Sequence, residues 1–559
     1  MPVKNIAVTP SAYTYPLLIK SLLITPLVHS PEREIIQADG SRYNYRTLNE
    51  RISRLAGGLA SLGIEAGSTV AVMDWDTHRY LECYFAVPMM GAILQTVNIR
   101  LSPEQILYTL NHAKADVLMI GADFLPVLEA IADKLETVRS FVLMSDAADP
   151  PSAPVKFSAV YEKLLSSAPT NFDFPDFDEN TQATVFYTTG TTGNPKGVYF
   201  SHRQLVLHTL ATAAAMGSAA CQGRLHREDV YMPLTPMFHV HAWGFPYVAT
   251  MLGLKQVYPG QYLPDRLLKL IAREDVTFSH CVPTILHMLL HHPLVDQTDL
   301  SRWKVVIGGA AMPKAMAIAA QKRGIDIFTG YGMSETCPIL TLAHLPTART
   351  EAPPEEQAAL RTKTGLPLPL VDLRVVDEAM QSLPFDGKST GEVVVRSPWL
   401  TQGYLSDPES SEKLWNGSYL HTGDIGHIDP FGYLQITDRM KDVIKSGGEW
   451  TSSLQLEDIL LQHPAVMEVA VIAQRDEKWG ERPLALVRLK PEMADSTSES
   501  KLRKHVAEQV EKLGLSRYAI LINIIFVEGL TKTSVGKLNK RAMREEFAAT
   551  KIAPEEEIS

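Results

Sequence analysis

The stretch YTTGTTGNPKG, Tyr187 to Gly197, decides how this sequence is read. Nine of its eleven residues are Thr, Gly, Asn or Pro, and Lys196 stands just before the last glycine. Such a run cannot fill a core. Consecutive glycines and hydroxyl residues let several backbone N–H groups turn inward on an anion, and Lys196 adds a charge for outer phosphates. The run fails the common GxxxxGK[ST] nucleotide loop, because Pro195 stands where Gly is needed and Gly197 where Ser or Thr is needed. Taken alone, it reads equally well as a flexible surface loop.

The setting narrows the choice. At 559 residues the chain exceeds the size at which one core keeps growing, so two or more domains are expected. Hydrophobic content of 45% and charged content of 21% are those of a globular protein, and a net charge of -10 disfavours a nucleic-acid surface. Cys83, Cys221, Cys281 and Cys337 show no CxxC spacing and read as reduced thiols. The N-terminal YPLLIKSLLITPLV is interrupted by Lys20 and Pro26; Leu17, Leu18, Leu22 and Ile24 fit an amphipathic helix rather than a targeting segment. No apolar run is long enough to span a bilayer, and a cytoplasmic protein is expected.

From Tyr45 to Ile120 helical and strand text alternates: YRTLNERISRLAGGLASLG, STVAVM, HRYLECYFAVPMMGA, ADVLMI. That alternation implies parallel strands with crossover helices. VTFSHCV, KVVIGGA and IDIFTGYG resume the rhythm, and small residues at their ends point to one cleft beyond the strand termini. Past Leu370 strand-turn text follows, with DPFGY as a hairpin turn. After Arg439 comes a compact helix and strand pattern, so residues 1–439 and 440–559 are expected as a large and a small domain, the fold class being α/β with a small α+β unit.

Seven motifs in order carry a resemblance. Besides the opening stretch they are PMFHVHAW (Pro236 to Trp243), GGAAMP (Gly308 to Pro313), TGYGMSET (Thr329 to Thr336), YLHTGD (Tyr419 to Asp424), DRMKDVIKSGGEW (Asp438 to Trp450) and TSVGKLNKR (Thr533 to Arg541). Together they resemble the adenylate-forming superfamily of acyl-CoA synthetases, luciferases and peptide-synthetase adenylation domains. The MFHVHAW and KSGGEW versions look most like medium- and long-chain fatty acyl-CoA synthetases and methylmercaptopropionate-CoA ligases. The likeness spans essentially the whole chain. It departs at Thr531, where the family usually has Pro before KTSVGK.

The resemblance implies an ATP-dependent, AMP-forming acid-CoA ligase with a large α/β domain that includes a distorted barrel, and a mobile small domain. It places Thr188, Thr189, Gly190, Thr191, Thr192 and Gly193 with Lys196 around the outer phosphates, and Mg2+ on Thr188 and Glu335. Gly308, Gly309, Ala310, Thr329, Gly330, Tyr331, Gly332 and Ser334 would form the adenine and acyl walls. Asp424 and Arg439 would hold ribose; His239 would lie beside the acid's carboxylate, with Val240 and Trp243 at an acyl tunnel. Zinc at His239 and His241 lacks a third ligand at suitable spacing. Lys537 would reach the α-phosphate from the small domain, which swings about Lys441 to bring Lys445 toward coenzyme A, and Trp450 would pack on the adenylate or acyl entrance. Likeness to the family also suggests a homodimer. Aryl, branched or thioether acids, and a carrier protein in place of CoA, stay open as alternatives. A nucleotide-binding regulator without catalysis would be expected to lack Glu335, Asp424 or Lys537, and all three are present.

Overall fold

The computed structural model describes residues 3–146, 153–188, 194–219, 223–446, 449–476, 478–513, 517–532 and 538–547. The alternating text folds as the α/β reading requires. A seven-stranded sheet places Ser140–Met144, Val117–Gly121, Thr69–Met73, Ile93–Thr96 and Gln182–Thr188 side by side in parallel. It closes with Lys196–Ser201, antiparallel to Gln182–Thr188. Thr69–Met73 and Val117–Gly121 are buried at every position, as strands covered on both faces must be. The helix Tyr45–Ser61 starts at Asn44, whose side chain accepts from the Thr47 N–H, and buries Leu48, Ile52, Leu55 and Leu59 on one stripe.

A nine-stranded sheet has a parallel centre in the spatial order Asp326–Gly332, Lys304–Ile307, Phe278–Cys281, Val230–Leu234, Lys255–Tyr258 and Glu34–Gln37. A third, antiparallel sheet joins Asp372–Val376, Gly391–Arg396, Tyr419–Ile428 and Leu434–Arg439. Its hairpin turns at DPFGY, where the Asp429 carboxylate accepts from the Phe431 and Tyr433 N–H groups and Gly432 takes φ 87°. The C-terminal sheet pairs Val466–Asp476 with Gly480–Leu489 and packs against Ser453–Leu461 and Glu499–Leu513.

Contrary to expectation, the N-terminal apolar stretch is not one amphipathic helix: Ile19–Leu23 is a 3-10 turn, and an α-helix runs only over Ile24–His29. Leu18 and Leu22 are buried, but Ile24 is 52% exposed. The tighter 3-10 winding puts side chains three apart on one line, so the four apolar residues cannot share a helical face.

The two large sheets meet at the segment Pro236–Trp243. Asp76, just past Thr69–Met73, accepts the Met237 N–H at 2.8 Å; the Tyr84 hydroxyl donates to the Met237 carbonyl, and Thr96 Oγ1 donates to the Phe238 carbonyl at 3.0 Å. Beyond this strap the chain makes a left-handed turn. Val240, His241, Ala242 and Trp243 have φ of 40°, 57°, 46° and 58°, and Gly244 follows at 76°. Left-handed geometry costs L-residues about 1–2 kcal/mol each, so the strap and the burial of all four side chains must offset that strain. Gly244 is obligatory there: a Cβ would come within 2.8 Å of the His208 ring.

The core around this turn contains four buried histidines. Burial pushes His202, His208, His241 and His280 each down to about 3. His241 is fully buried with both ring nitrogens unpartnered, and its ring lies edge-on to Tyr84, Phe186 and Phe200. Each ring is neutral in the fold but protonates near 6.5 when unfolded, so its contribution is complete above about pH 6.5 and is lost as pH falls toward 3. The expected slope is about 1.4 kcal/mol per pH unit for each such histidine. Thermal midpoints measured between pH 7.5 and 5 should fall well above the carboxylate range. His241→Phe, which keeps the ring and removes the titration, should make that fall shallower.

Candidate active site

Four parallel strands of the nine-stranded sheet deliver their carboxyl ends to one place, as open α/β sheets do with ligand sites. Past Val230–Leu234 come Thr235, Pro236 and His239; past Phe278–Cys281 come Val282 and Thr284; past Lys304–Ile307 come Gly308 and Gly309; Asp326–Gly332 ends in Gly330, Tyr331 and Gly332. These residues line two adjoining spaces. A cleft is bounded by His239, Val240, Trp243, Gly308, Gly309, Gly330, Tyr331, Gly332 and Ser334. Behind it a cavity of about 160 Å3 lies among Thr235, Tyr262, Val282, Thr284 and Ile285. His239, Trp243 and Gly309 line both, so they form the shared wall.

The glycines serve close packing here. At Gly308 a Cβ would lie 2.9 Å from both the Trp243 ring and the Gly330 carbonyl, and at Gly332 it would lie 1.7 Å from the Pro338 carbonyl. Any larger residue would push the indole off the wall or separate two backbone segments. The Trp243 ring also rests on His280 at 5.2 Å.

Charged groups stand in prearranged contacts next to the lining residues Tyr331 and Ser334. Thr188 and Lys196 are paired at the end of the antiparallel ladder of Gln182–Thr188 with Lys196–Ser201. Lys196 Nζ donates to Ser410 Oγ at 2.6 Å, lies 3.7 Å from the Asp407 carboxylate and sits 4.7 Å over the Tyr404 ring. Tyr404 in turn donates to Glu335 Oε1 at 2.8 Å, and the carboxylate, only 8% exposed, keeps its second oxygen for another ligand. The Glu335 backbone is fixed as well, its carbonyl accepting from the Thr401 N–H at 2.9 Å. Asp424 accepts from the Tyr331 hydroxyl at 2.7 Å and lies 3.3 Å from Arg439 Nε, its partner across the Tyr419–Ile428 and Leu434–Arg439 ladder. Burial and the Asp424 carboxylate hold the Tyr331 phenol well above its usual range, so it stays a donor.

Other sequence-predicted residues sit apart from this cleft. Thr329 is buried and its hydroxyl donates to the Lys363 carbonyl; Ala310 and Ala311 are exposed and line neither space. Lys441 and Lys445 are exposed, Lys445 pairing across a short ladder with Trp450. Thr189 to Gly193, Gly447, Gly448 and Lys537 lie outside the described residues.

Several structural partners were not singled out from the sequence. Tyr404, Asp407 and Ser410 hold Lys196 and Glu335 from a segment with no motif of its own. Asp76 joins the strap to the cavity wall, because its second oxygen accepts from the Tyr262 hydroxyl. Burial pushes Asp76 up to about 7, against the pull of those two donors. Lys540 is 9% exposed and bound to Glu457 and Ser453 at 2.7 Å each. The only sequence signal for Asp76 was a polar DWDT following an apolar strand, which also fits an ordinary turn.

Comparison with known proteins agrees with this geometry. The family model described as AMP-binding enzyme matches residues 27–405, and that described as AMP-binding enzyme C-terminal domain matches residues 455–537. A long-chain-fatty-acid–CoA ligase of Thermus thermophilus is 42% identical over 90% of each chain. A 3-methylmercaptopropionyl-CoA ligase of Ruegeria lacuscaerulensis is 39% identical over 96% of this chain and 98% of its own. Among solved structures, an anthranilate CoA ligase in complex with anthranoyl-AMP superposes with a TM-score of 0.83 at 25% identity, covering 96% of this chain and 98% of that one. A Mycobacterium tuberculosis fatty acyl CoA synthetase gives 0.68 at 27% identity, covering 96% and 99%. The larger model alone takes in most of the chain, including Thr188, Lys196, the strap and Glu335, and on that ground the chain belongs to the AMP-binding enzyme family.

Proposed function

We propose that the chain is an ATP-dependent, AMP-forming carboxylic acid–CoA ligase. The observation that carries this reading is the shared wall: a cleft lined by Tyr331 and Ser334, with Asp424 bonded to the one and Glu335 next to the other, meets a mostly apolar cavity, which Arg100 also lines, at His239, Trp243 and Gly309. Acid activation by a nucleotide needs such a junction, where a carboxylate oxygen can approach the α-phosphorus while its tail stays out of water.

A carboxylate does not acylate a thiol at neutral pH, because oxide is a poor leaving group. In the proposed sequence the carboxylate attacks the α-phosphorus, pyrophosphate departs, and the acyl adenylate passes its acyl group to the CoA thiol with release of AMP. Charge builds on phosphate oxygens, so preorganised cations and donors do most of the work. Lys196, oriented by Ser410 and Tyr404, would hold the leaving pyrophosphate. Tyr331, Asp424 and Arg439 supply acceptors and donors for ribose hydroxyls. Glu335 and Thr188 offer the oxygen donors a hard cation prefers, and Tyr404 fixes the Glu335 carboxylate for it. Bound Mg2+ would add positive charge against the phosphates.

The second step uses the small unit. Burial and His291 hold His287 below its usual range, and the charges of Glu468 and Lys532 reach it too. His287 lies on Pro283–Leu290, which also gives Thr284 and Ile285 to the cavity. Lys537 would be delivered from the small unit for adenylation, as the family resemblance implies. Rotation about Arg439–Lys441 would then withdraw it and admit CoA. A homodimer and a cytoplasmic setting belong to the same proposal; no described helix is long and apolar enough to cross a membrane.

Two measurements test this reading. Asp424→Asn should raise the ATP KM and lower kcat/KM for ATP about 10- to 100-fold, the usual effect of weakening hydrogen bonds to a charged group, with the acid KM nearly unchanged. An equal rise in both KM values would place Asp424 outside the nucleotide site. Lys537→Ala should abolish acid-dependent ATP/pyrophosphate exchange while largely sparing thioester formation from a supplied acyl adenylate. Equal loss of both half-reactions would refute the two-orientation scheme.

A further inference from the structure

The cavity behind the shared wall limits what acid can be activated, an inference that rests on the ligase reading. Its volume of about 160 Å3 is close to the roughly 150 Å3 of an engineered cavity that holds one benzene. With the carboxylate at His239 and Gly309, the tail lies in this space, between Thr235, Thr284, Val282, Ile285 and Tyr262, with Arg100 also on the wall. Tyr262 lines the cavity and not the cleft. Its ring is not free to swing away, because its hydroxyl donates to Asp76 Oδ2, and the other oxygen of that buried carboxylate holds the Met237 N–H at 2.8 Å. Met237 belongs to the strap that carries His239. One carboxylate therefore fixes the cavity wall and the carboxylate-binding segment together.

We propose that the substrate is a short straight-chain or thioether acid with about six non-hydrogen atoms or fewer beyond its carboxyl group, and that Tyr262, held by Asp76, sets this limit. Tyr262 is thus a specificity-determining residue and Asp76 a positioning residue. A rigid apolar cavity discriminates one methylene by about 10- to 200-fold, so the cut-off should be sharp.

The test is a straight-chain panel from butyrate to dodecanoate plus 3-(methylthio)propionate, with kcat/KM read from CoA ligation and binding of the same acids read by calorimetry. The wild-type profile should peak at four to seven carbons or at the thioether, and fall at least about 10-fold by decanoate. Tyr262→Ala should move the peak to longer acids, whereas Tyr262→Phe, which keeps the ring and frees it from Asp76, should raise the decanoate-to-hexanoate ratio with little change in ATP KM. A wild-type peak at decanoate or beyond, or a Tyr262→Phe ratio equal to wild type, would overturn the proposal. If no acid is ligated to CoA yet short acids bind and long ones do not, the ligase reading fails and the cavity assignment stands. Turnover confined to long acids would instead overturn the cavity assignment and leave the ligase reading standing.

Discussion

The hydrogen bonds that the seven-stranded sheet places on Met237 and Phe238 are the constraint on which the site depends. Asp76, Tyr84 and Thr96 come from three successive elements of that sheet's layer, and together they hold both carbonyls and the Met237 N–H. Only with those groups fixed can Val240 to Trp243 be kept left-handed, against a cost of about 1–2 kcal/mol each. The turn swings Trp243 back over Gly308 and places His239 at the boundary of cleft and cavity. A relaxed, right-handed turn would aim these side chains elsewhere. Strain is here converted into position, and the aromatic packing around His241 helps to retain it.

The charged part of the site follows a different rule, that of sharing. Glu335 shares Tyr404 with Lys196, Asp424 lies between Tyr331 and Arg439, and Lys196 lies between Ser410 and Asp407. Each ionic group is oriented before any ligand arrives, so little reorganisation is needed when charge develops. Partial exposure matters as well. Lys196 and Asp407 side chains are each 36% exposed, which keeps their mutual attraction weak and leaves Lys196 available to phosphate oxygens.

Much of this was legible in the sequence, and for identifiable reasons. Buried parallel strands are near-continuous apolar runs, and TVAVM, VLMIG and KVVI stand out against their surroundings. Small residues at strand ends line the cleft, where Gly308 and Gly332 are small because chain segments approach closely there. What stayed hidden is what depends on distance in sequence. Asp76 lies 161 positions from Met237 and 186 from Tyr262, and nothing local in DWDT distinguishes a strap from a turn. Likewise Tyr404 reaches Glu335 across 69 positions. Periodicity reports which face a side chain takes; it carries no information about which remote partner that face will meet. The N-terminal stretch misled for a local reason, since a 3-10 start and an α-helical continuation have different periods.

The junction between the large and small parts shows how neighbouring residues can serve two bodies. Asp438 and Arg439 both sit in the ladder with Tyr419–Ile428, opposite Ile425 and Asp424. Arg439 stays with that sheet, its half-exposed guanidinium beside Asp424. The Asp438 side chain turns the other way: it accepts the Ser453 N–H at 2.6 Å, at the start of Ser453–Leu461, where Lys540 is also bound to Ser453 Oγ. Burial raises Asp438 and Glu457 above the usual carboxylate range, and Lys540 opposes that rise at both. A swivel beyond Arg439 would leave the backbone of Asp438 in the large sheet while carrying Ser453, Glu457 and Lys540 away. Separating a buried, hydrogen-bonded charge cluster costs about 3–5 kcal/mol, whereas Arg439 and Asp424 stay paired within one ladder. Reorientation of the small part therefore requires either new partners for Asp438 and Lys540 or a ligand whose preference for the other orientation is several kcal/mol. In the proposed two-orientation scheme the balance would be set at the junction itself, by the Asp438 side chain, which turns toward Ser453 and away from Asp424.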